Sequence, residues 1–343
     1  MSTPVYIRSS ACISPQDSFG QPFPQPPVES VGVRLHCREP DYRALLDPKM
    51  IRRMSRVIRM GAAAALSCLR AAEIAGPDAI VTGTAYGCLE DTGLFLQSII
   101  ERREETLQPA TFIQSTHNTV GAQIALLLQC TGYNNTFVHR GSSFENAMLD
   151  TMLLLADQEA ATVLAGGVDE ITDTSHALLT RFGLYRREPV SNLRLYSPRK
   201  KGTIAGEGAA FFLLAGQPSG RDLARLDAIE TFCHPKDTAE VERRILAFLA
   251  AQDLRTGDID TVVTGDDGDI NGDAIYLRVT DALFPNTPKE TFKQLCGEYP
   301  TAASFGLWFA ANKVRAGAGK LLLYNHYQHH HSVYLLSPAH VTE

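Results

Sequence analysis

Residues 135–170 read NTFVHRGSSFENAMLDTMLLLADQEAATVLAGGVDE, and this stretch decides the architecture. NTFVH (135–139) is a short β-rich run, and SSFENAMLDTMLLLADQ (142–158) carries apolar residues at helical spacing. ATVLAGGVDE (161–170) then returns to an apolar β run that ends in a glycine-rich turn. Strand, helix and strand in this order imply a parallel pair joined by a right-handed crossover, in a sheet covered on both faces.

Outward from this unit the same rhythm continues. Upstream, 51–75 (IRRMSRVIRMGAAAALSCLRAAEIA) reads as one long helix, 79–87 as a strand, and 92–103 and 119–132 as helices. A first short strand covers Val5 to Ile7, and the Pro- and Gly-rich residues 15–48 form an irregular excursion before the first long helix. Downstream, GEGAAFFLLAG (206–216) is a buried strand that closes the first half. A second half follows, with strands at 223–233 and 259–265, helices at 238–252, 274–284 and 301–317, and a terminal strand pair within 319–336. Two βαβ-rich halves, 1–215 and 216–343, predict an α/β fold in the form of a five-layer α-β-α-β-α sandwich.

Composition excludes several function classes. A chain of 343 residues with 44% hydrophobic content can bury a large core, and its net charge of -6 argues against nucleic acid or an anionic membrane as partner. Seven cysteines without a CxxC pair suggest neither a disulfide framework nor a zinc ribbon, and no run is long and apolar enough to insert in a membrane. A soluble, cytoplasmic protein without metal or other cofactor is expected.

Six segments, in order, resemble the β-ketoacyl synthases of the thiolase-like superfamily: 52–65 (RRMSRVIRMGAAAA), 83–92 (GTAYGCLEDT), 112–126 (FIQSTHNTVGAQIAL), 163–170 (VLAGGVDE), 197–214 (SPRKKGTIAGEGAAFFLL) and 293–304 (KQLCGEYPTAAS). Turn chemistry alone accounts for Gly166, Gly167, Gly206 and Gly208 singly, but not for the ordered set. The resemblance implies decarboxylative Claisen condensation on thioesters, with a cysteine nucleophile at a helix N-terminus and two histidines that stabilise the enolate. In this sequence the residues at those three positions are Gly141, Gly265 and Glu298, the last following Lys293 in a Lys-x-x-x-Gly run. A glycine-rich loop of the family has become Asn325-His-Tyr-Gln-His-His-His331. Losing the nucleophile and both carbonyl ligands removes the mechanism.

The resemblance therefore implies a pseudoenzyme: a chain-length-factor subunit of a heterodimeric β-ketoacyl synthase, most like those of aryl polyene biosynthesis, within fatty acid and polyketide chemistry. Its partners would be a catalytic ketosynthase and an acyl carrier protein. Phe112, Thr116, His117 and Asn118 match the loop that meets the partner and walls its acyl pocket, and Asn118 also suits a helix cap. Lys49, Arg52 and Arg53 match a patch that docks the acidic carrier. An enzymatic alternative, a decarboxylase, acyltransferase or 3-oxoacyl synthase, would use Ser142 with His139 or Glu145, or Glu298, or a displaced thiol at Cys130 or Cys296. Serine is a favoured N-cap, which gives Ser142 and Ser143 a structural reading instead. Glu298 is expected to pair with Lys293. His329, His330 and His331 cannot converge on one ion if they lie on a strand, because successive side chains alternate.

Overall fold

The computed structural model describes residues 3–21 and 26–339, so positions 22–25 of the irregular excursion and the chain ends lie outside the described residues. The first half contains β1 (Val5–Ile13), β2 (Val31–Gly32), α1 (Pro48–Ile51), α2 (Arg56–Ala71), β3 (Ala79–Gly83), α3 (Leu89–Glu101), α4 (Pro109–Gln114) and α5 (Thr119–Leu128). It continues with β4 (Tyr133–Phe137), α6 (Ser143–Ala156), β5 (Thr162–Asp169), α7 (Asp173–Arg181), β6 (Val190–Ser191) and β7 (Gly208–Ala215). The second half holds β8 (Ala224–Cys233), α8 (Thr238–Ala250), β9 (Thr261–Thr264), α9 (Ile270–Leu283), β10 (Lys289–Thr291), α10 (Lys293–Cys296), α11 (Ala302–Arg315), β11 (Leu321–Tyr327) and β12 (His330–Ser337).

The long strands are ordered β10-β9-β11-β12-β8-β1-β7-β5-β3-β4. Three residue pairs between β1 and β8, from Val5–Leu226 to Ile7–Ala224, join two five-stranded groups. β4 and β5 run parallel as expected, but β3 lies between them and pairs with both. Among the described residues β4 has β3 as its one neighbour and forms an edge of the sheet.

Strand alternation generates the five layers. In β7, Ala210, Phe212 and Leu214 enter a central core while Ala209, Phe211 and Leu213 enter a second core beneath α2 and α5. In β11, Leu321 and Leu323 face the same central core while Leu322 and Tyr324 face a third, under α8 and α9. Period-two side-chain direction thus assigns each strand's residues to two different layers. The central layer is α6 and α11. Residues Ala302–Ala311 of α11 are all buried, as befits a helix that is apolar all round and packed on both sides. Each fully buried Phe or Leu here contributes about 1.5–3 kcal/mol.

Several local expectations are corrected. β1 extends to Ile13, because Ser9 satisfies its hydroxyl on the Cys68 carbonyl (2.8 Å) and so can be buried. The long helix expected from residue 51 is interrupted, with Arg52–Ser55 separating α1 from α2. Gly166 and Gly167 lie within β5 rather than in a turn, facing Phe211 and Ser304. α7 was not expected; Thr172 and Ser175 form a reciprocal capping box at its start.

Candidate functional site

Gly141 lies buried in a 3-10 turn, Arg140–Ser142, between β4 and α6. A Cβ added there would stand 2.8 Å from both Cβ and Cδ1 of Tyr327, against an ordinary carbon contact of about 3.5–4.0 Å. Tyr327, the last residue of β11, therefore takes the volume that any side chain at 141 would need. Its hydroxyl is 3.3 Å from that of Tyr86. The loop carrying Tyr86 is clamped by buried Asp169, which accepts hydrogen bonds from Thr84 Oγ1 (2.8 Å), Ala85 N (2.9 Å), Tyr86 N (3.0 Å) and Thr301 Oγ1 (2.8 Å). Burial pushes both phenols up, so both stay neutral.

Gly265 follows β9. A Cβ there would run into Asn325 Oδ1 and come within 2.8 Å of Tyr276 Oη and 3.0 Å of Lys293 Cε, so no larger side chain fits without rearrangement. Lys293 Nζ donates to Glu298 Oε2 (2.6 Å) and to the His326 carbonyl (2.9 Å). Burial pushes the Glu298 carboxyl up to about 8, opposed by the Lys293 charge. Burial pulls Lys293 down, yet the charges of Glu298 and then Asp267 more than offset this, and its ammonium is held above its usual value. His326 is driven well below the usual histidine range by burial and then by Lys293, and its ring stacks on Tyr276 with centroids 4.4 Å apart. The structure thus brings Gly265, Lys293 and Glu298 together around one buried ion pair. A cleft of about 830 Å³ opens elsewhere, lined in part by Arg187, Arg194, Lys200 and Lys201, and Gly141, Gly265 and Glu298 are not among its walls.

The loop after α4 lies near the surface. Phe112 is 57% exposed and packs against Phe95 of α3 (5.5 Å), while His117 and Asn118 are exposed and Thr116 is half-buried. Asn118 stands at the N-cap of α5 without a capping bond; its Oδ1 instead accepts from Thr116 Oγ1 (2.8 Å). Large apolar side chains are exposed on α3, α4, α5, β4 and α6, including Leu94, Ile100, Ile113, Leu126, Tyr133 and Leu153. Lys49, Arg52 and Arg53 are exposed at and after α1 and form no ion pair among the described residues, and the Arg53 carbonyl accepts from Gln114 of α4.

The β-ketoacyl synthase N-terminal domain model matches residues 40–218. The chain belongs to the β-ketoacyl synthase family. No curated protein sequence matches it. Among solved structures it is similar to "The ishigamide ketosynthase/chain length factor", with TM-score 0.80, 15% identity, and coverage of 98% of this chain and 100% of that one. It is also similar to a β-ketoacyl synthase from Burkholderia phymatum STM815 (TM-score 0.78, 15% identity, 98% and 99% coverage). A third is a type II polyketide acyl-carrier protein in complex with its ketosynthase bound to the hexaketide (TM-score 0.73, 13% identity, 98% and 99% coverage). At these identities the likeness concerns the fold, and the chain has the thiolase-like ketosynthase architecture.

Within this family fold, the alternative nucleophiles separate. Cys296 is buried, its Sγ set 3.2 Å from the Gly297 carbonyl, and burial together with Glu298 holds its thiol well above the usual range. Cys130 Sγ faces the Pro77 carbonyl at 3.7 Å, beyond the C-terminal end of α5. Ser142 occupies the N-cap of α6 without capping it; its Oγ lies 3.0 Å from His330 Nδ1. Neither His139 nor Glu145 is its partner: the His139 amide donates to Ser143 Oγ (2.8 Å), and Glu145 Oε1 accepts from Ser332 Oγ (3.0 Å). Ser143, not Ser142, ties the turn, donating to the Arg140 carbonyl (2.8 Å). His329 sits in the turn before β12, and His330 and His331 diverge as strand alternation requires, with His331 Nδ1 2.9 Å from Tyr324 Oη. Tyr327 and His330 are the participants that sequence reading missed.

Proposed function

We propose that this chain is a chain-length-factor-type subunit that performs no condensation alone, pairs with a catalytic β-ketoacyl synthase and shapes that partner's acyl pocket. One observation carries the reading: Tyr327 fills the space at Gly141, so the Arg140–Ser142 turn from β4 into α6, the elbow where the family carries its cysteine, holds an aromatic side chain instead of a nucleophile. The packing at Gly265 and the Lys293–Glu298 pair support it, since neither leaves an imidazole to stabilise a developing enolate. Similarity to a structure titled ketosynthase/chain length factor adds weight to the same reading.

The pairing face is the β4 edge. An edge strand with an unpaired row of backbone groups, flanked by exposed Leu126 and Leu153 and continued by Phe112 and Ile113, suits a large obligate interface. Phe112, Thr116, His117 and Asn118 are the residues that reach the partner's pocket, with Phe112 setting chain length by bulk. Lys49, Arg52 and Arg53 dock an acidic acyl carrier protein that delivers a polyenoyl chain of the aryl polyene kind. Seven unpaired cysteines suit a reducing cytoplasm. Among the described residues no helix is long and apolar enough to cross a membrane.

Co-expression with a β-ketoacyl synthase that carries the cysteine and both histidines tests the pairing. Joint purification, with longer products on Phe112→Ala, is the expected result. Separate migration of the two chains, or unchanged product length, refutes it.

A further inference from the structure

Beside the elbow, three turns bring a thiol, an imidazole and a hydroxyl together. His330 Nδ1 lies 3.0 Å from Ser142 Oγ and 3.2 Å from Cys233 Sγ. Cys233 ends β8 and is exposed, whereas the other six cysteines are buried or half-buried. Burial, then the charges of His234, Arg140 and His329, holds His330 below its usual value, so at neutral pH the ring is a free base. His234 and His329 stack beside the cluster with centroids 4.6 Å apart.

The backbone marks the same place. Ten non-glycine residues among those described have positive φ, and seven of them follow helices. The other three are Arg140 (+53°), His234 (+52°) and Gln328 (+54°), one in each turn that delivers Ser142, Cys233 or His330. Left-handed non-glycine residues collect where a constellation of side chains has to be held.

We propose that Cys233 is an acyl-accepting nucleophile, with His330 as its base, that takes acyl groups from thioesters by thiol–thioester exchange. The Cys233 proton passes to His330 Nδ1, and Sγ attacks the thioester carbonyl carbon. The new C–S bond forms, the donor's C–S bond breaks, and the departing thiolate recovers the proton from His330; nothing is oxidised or reduced. Once the proton is on Nδ1, the N–H donates to Ser142 Oγ, 3.0 Å away, which steadies the imidazolium. The choice of thioesters rests on the proposed work among carrier-bound acyl chains, while the Cys–His pairing rests on geometry alone.

The test incubates the full-length chain with acetyl-N-acetylcysteamine, maps the adduct by peptide mass spectrometry, and measures iodoacetamide alkylation of Cys233 in parallel. Acetylation on the Cys233 peptide is expected, absent in Cys233→Ser and slowed roughly tenfold or more in His330→Gln. The alkylation rate falls with it, and Ser142→Ala gives a smaller fall in both without touching either reacting group. Alkylation that depends on His330 with no acetyl adduct overturns the acyl-accepting role, and leaves co-purification with a ketosynthase as the separate test of the pairing. Equal alkylation rates in the wild type and His330→Gln overturn the Cys–His pair itself.

Discussion

Putting a thiol back at the elbow, as Gly141→Cys, should destabilise the protein instead of restoring a nucleophile. The new Cβ would stand 2.8 Å from two Tyr327 carbons, inside the usual contact by roughly 0.7–1.2 Å, before the sulfur is placed. Overpacking of this kind costs about 1–3 kcal/mol. Tyr327→Ala alone should cost more, about 3–5 kcal/mol, because it removes a buried ring. The two changes should not add. With the ring gone the clash with Cδ1 is relieved while the 2.8 Å approach to the Cβ at 327 remains, so the double variant should be about 1 kcal/mol more stable than the sum of the single losses. Urea unfolding of the four proteins at one pH measures this coupling. Additivity within about 0.5 kcal/mol would mean that Tyr327 does not occupy the position, and the reasoning would fail.

Leu126→Asp, at a 67% exposed site on α5, should leave folding within about 0.5 kcal/mol yet weaken the complex with the ketosynthase at least tenfold, about 1.4 kcal/mol, as read by analytical ultracentrifugation. Lys293→Met leaves Glu298 buried without its partner and should cost about 3–5 kcal/mol in chemical denaturation, most of it recovered in Lys293→Met/Glu298→Leu. Burial raises the carboxyls of Glu145, Glu170 and Asp273 to about 7. Between the ordinary carboxylate range and that value the folded protein binds more protons than the unfolded chain, so stability should fall as pH rises from about 5 to 7. Glu145→Gln should flatten that slope in urea midpoints measured across the window, and an unchanged slope would contradict the assignment. Glu207 behaves oppositely. Burial raises it, but His36 and Arg56 hold it at about 2, so its contribution is lost only as pH drops from the ordinary carboxylate range towards that value.

The layered architecture was legible because apolar β runs and helical periodicity alternate so regularly, and because strands such as GAAFFLLA are apolar on both faces, as a strand between two helical layers has to be. α7 was missed since DTSHALLTR buries none of its residues fully; the Thr172–Ser175 capping pair was the available signal. The interruption at Arg52–Ser55 left no periodic trace, and Ser55, the N-cap of α2, was the available signal. At the site, the absence of a cysteine between Cys130 and Cys233 and the Lys293–Glu298 proximity could be read directly. The occupation of the elbow could not: Tyr327 arrives from β11, and its place beside Gly141 depends on how two halves of the sheet meet. For the same reason Ser142 reads as a helix cap, whereas its hydroxyl turns to His330, 188 residues downstream.

Carbon dioxide release from a malonyl carrier thioester, measured with the isolated chain, bears most directly on whether the condensing machinery is gone. The buffer rate is predicted for the isolated protein. Faster release that disappears on Glu298→Gln would show a working decarboxylation centre and contradict the reading that the packed Gly265 and the Lys293–Glu298 pair leave nothing to stabilise the enolate.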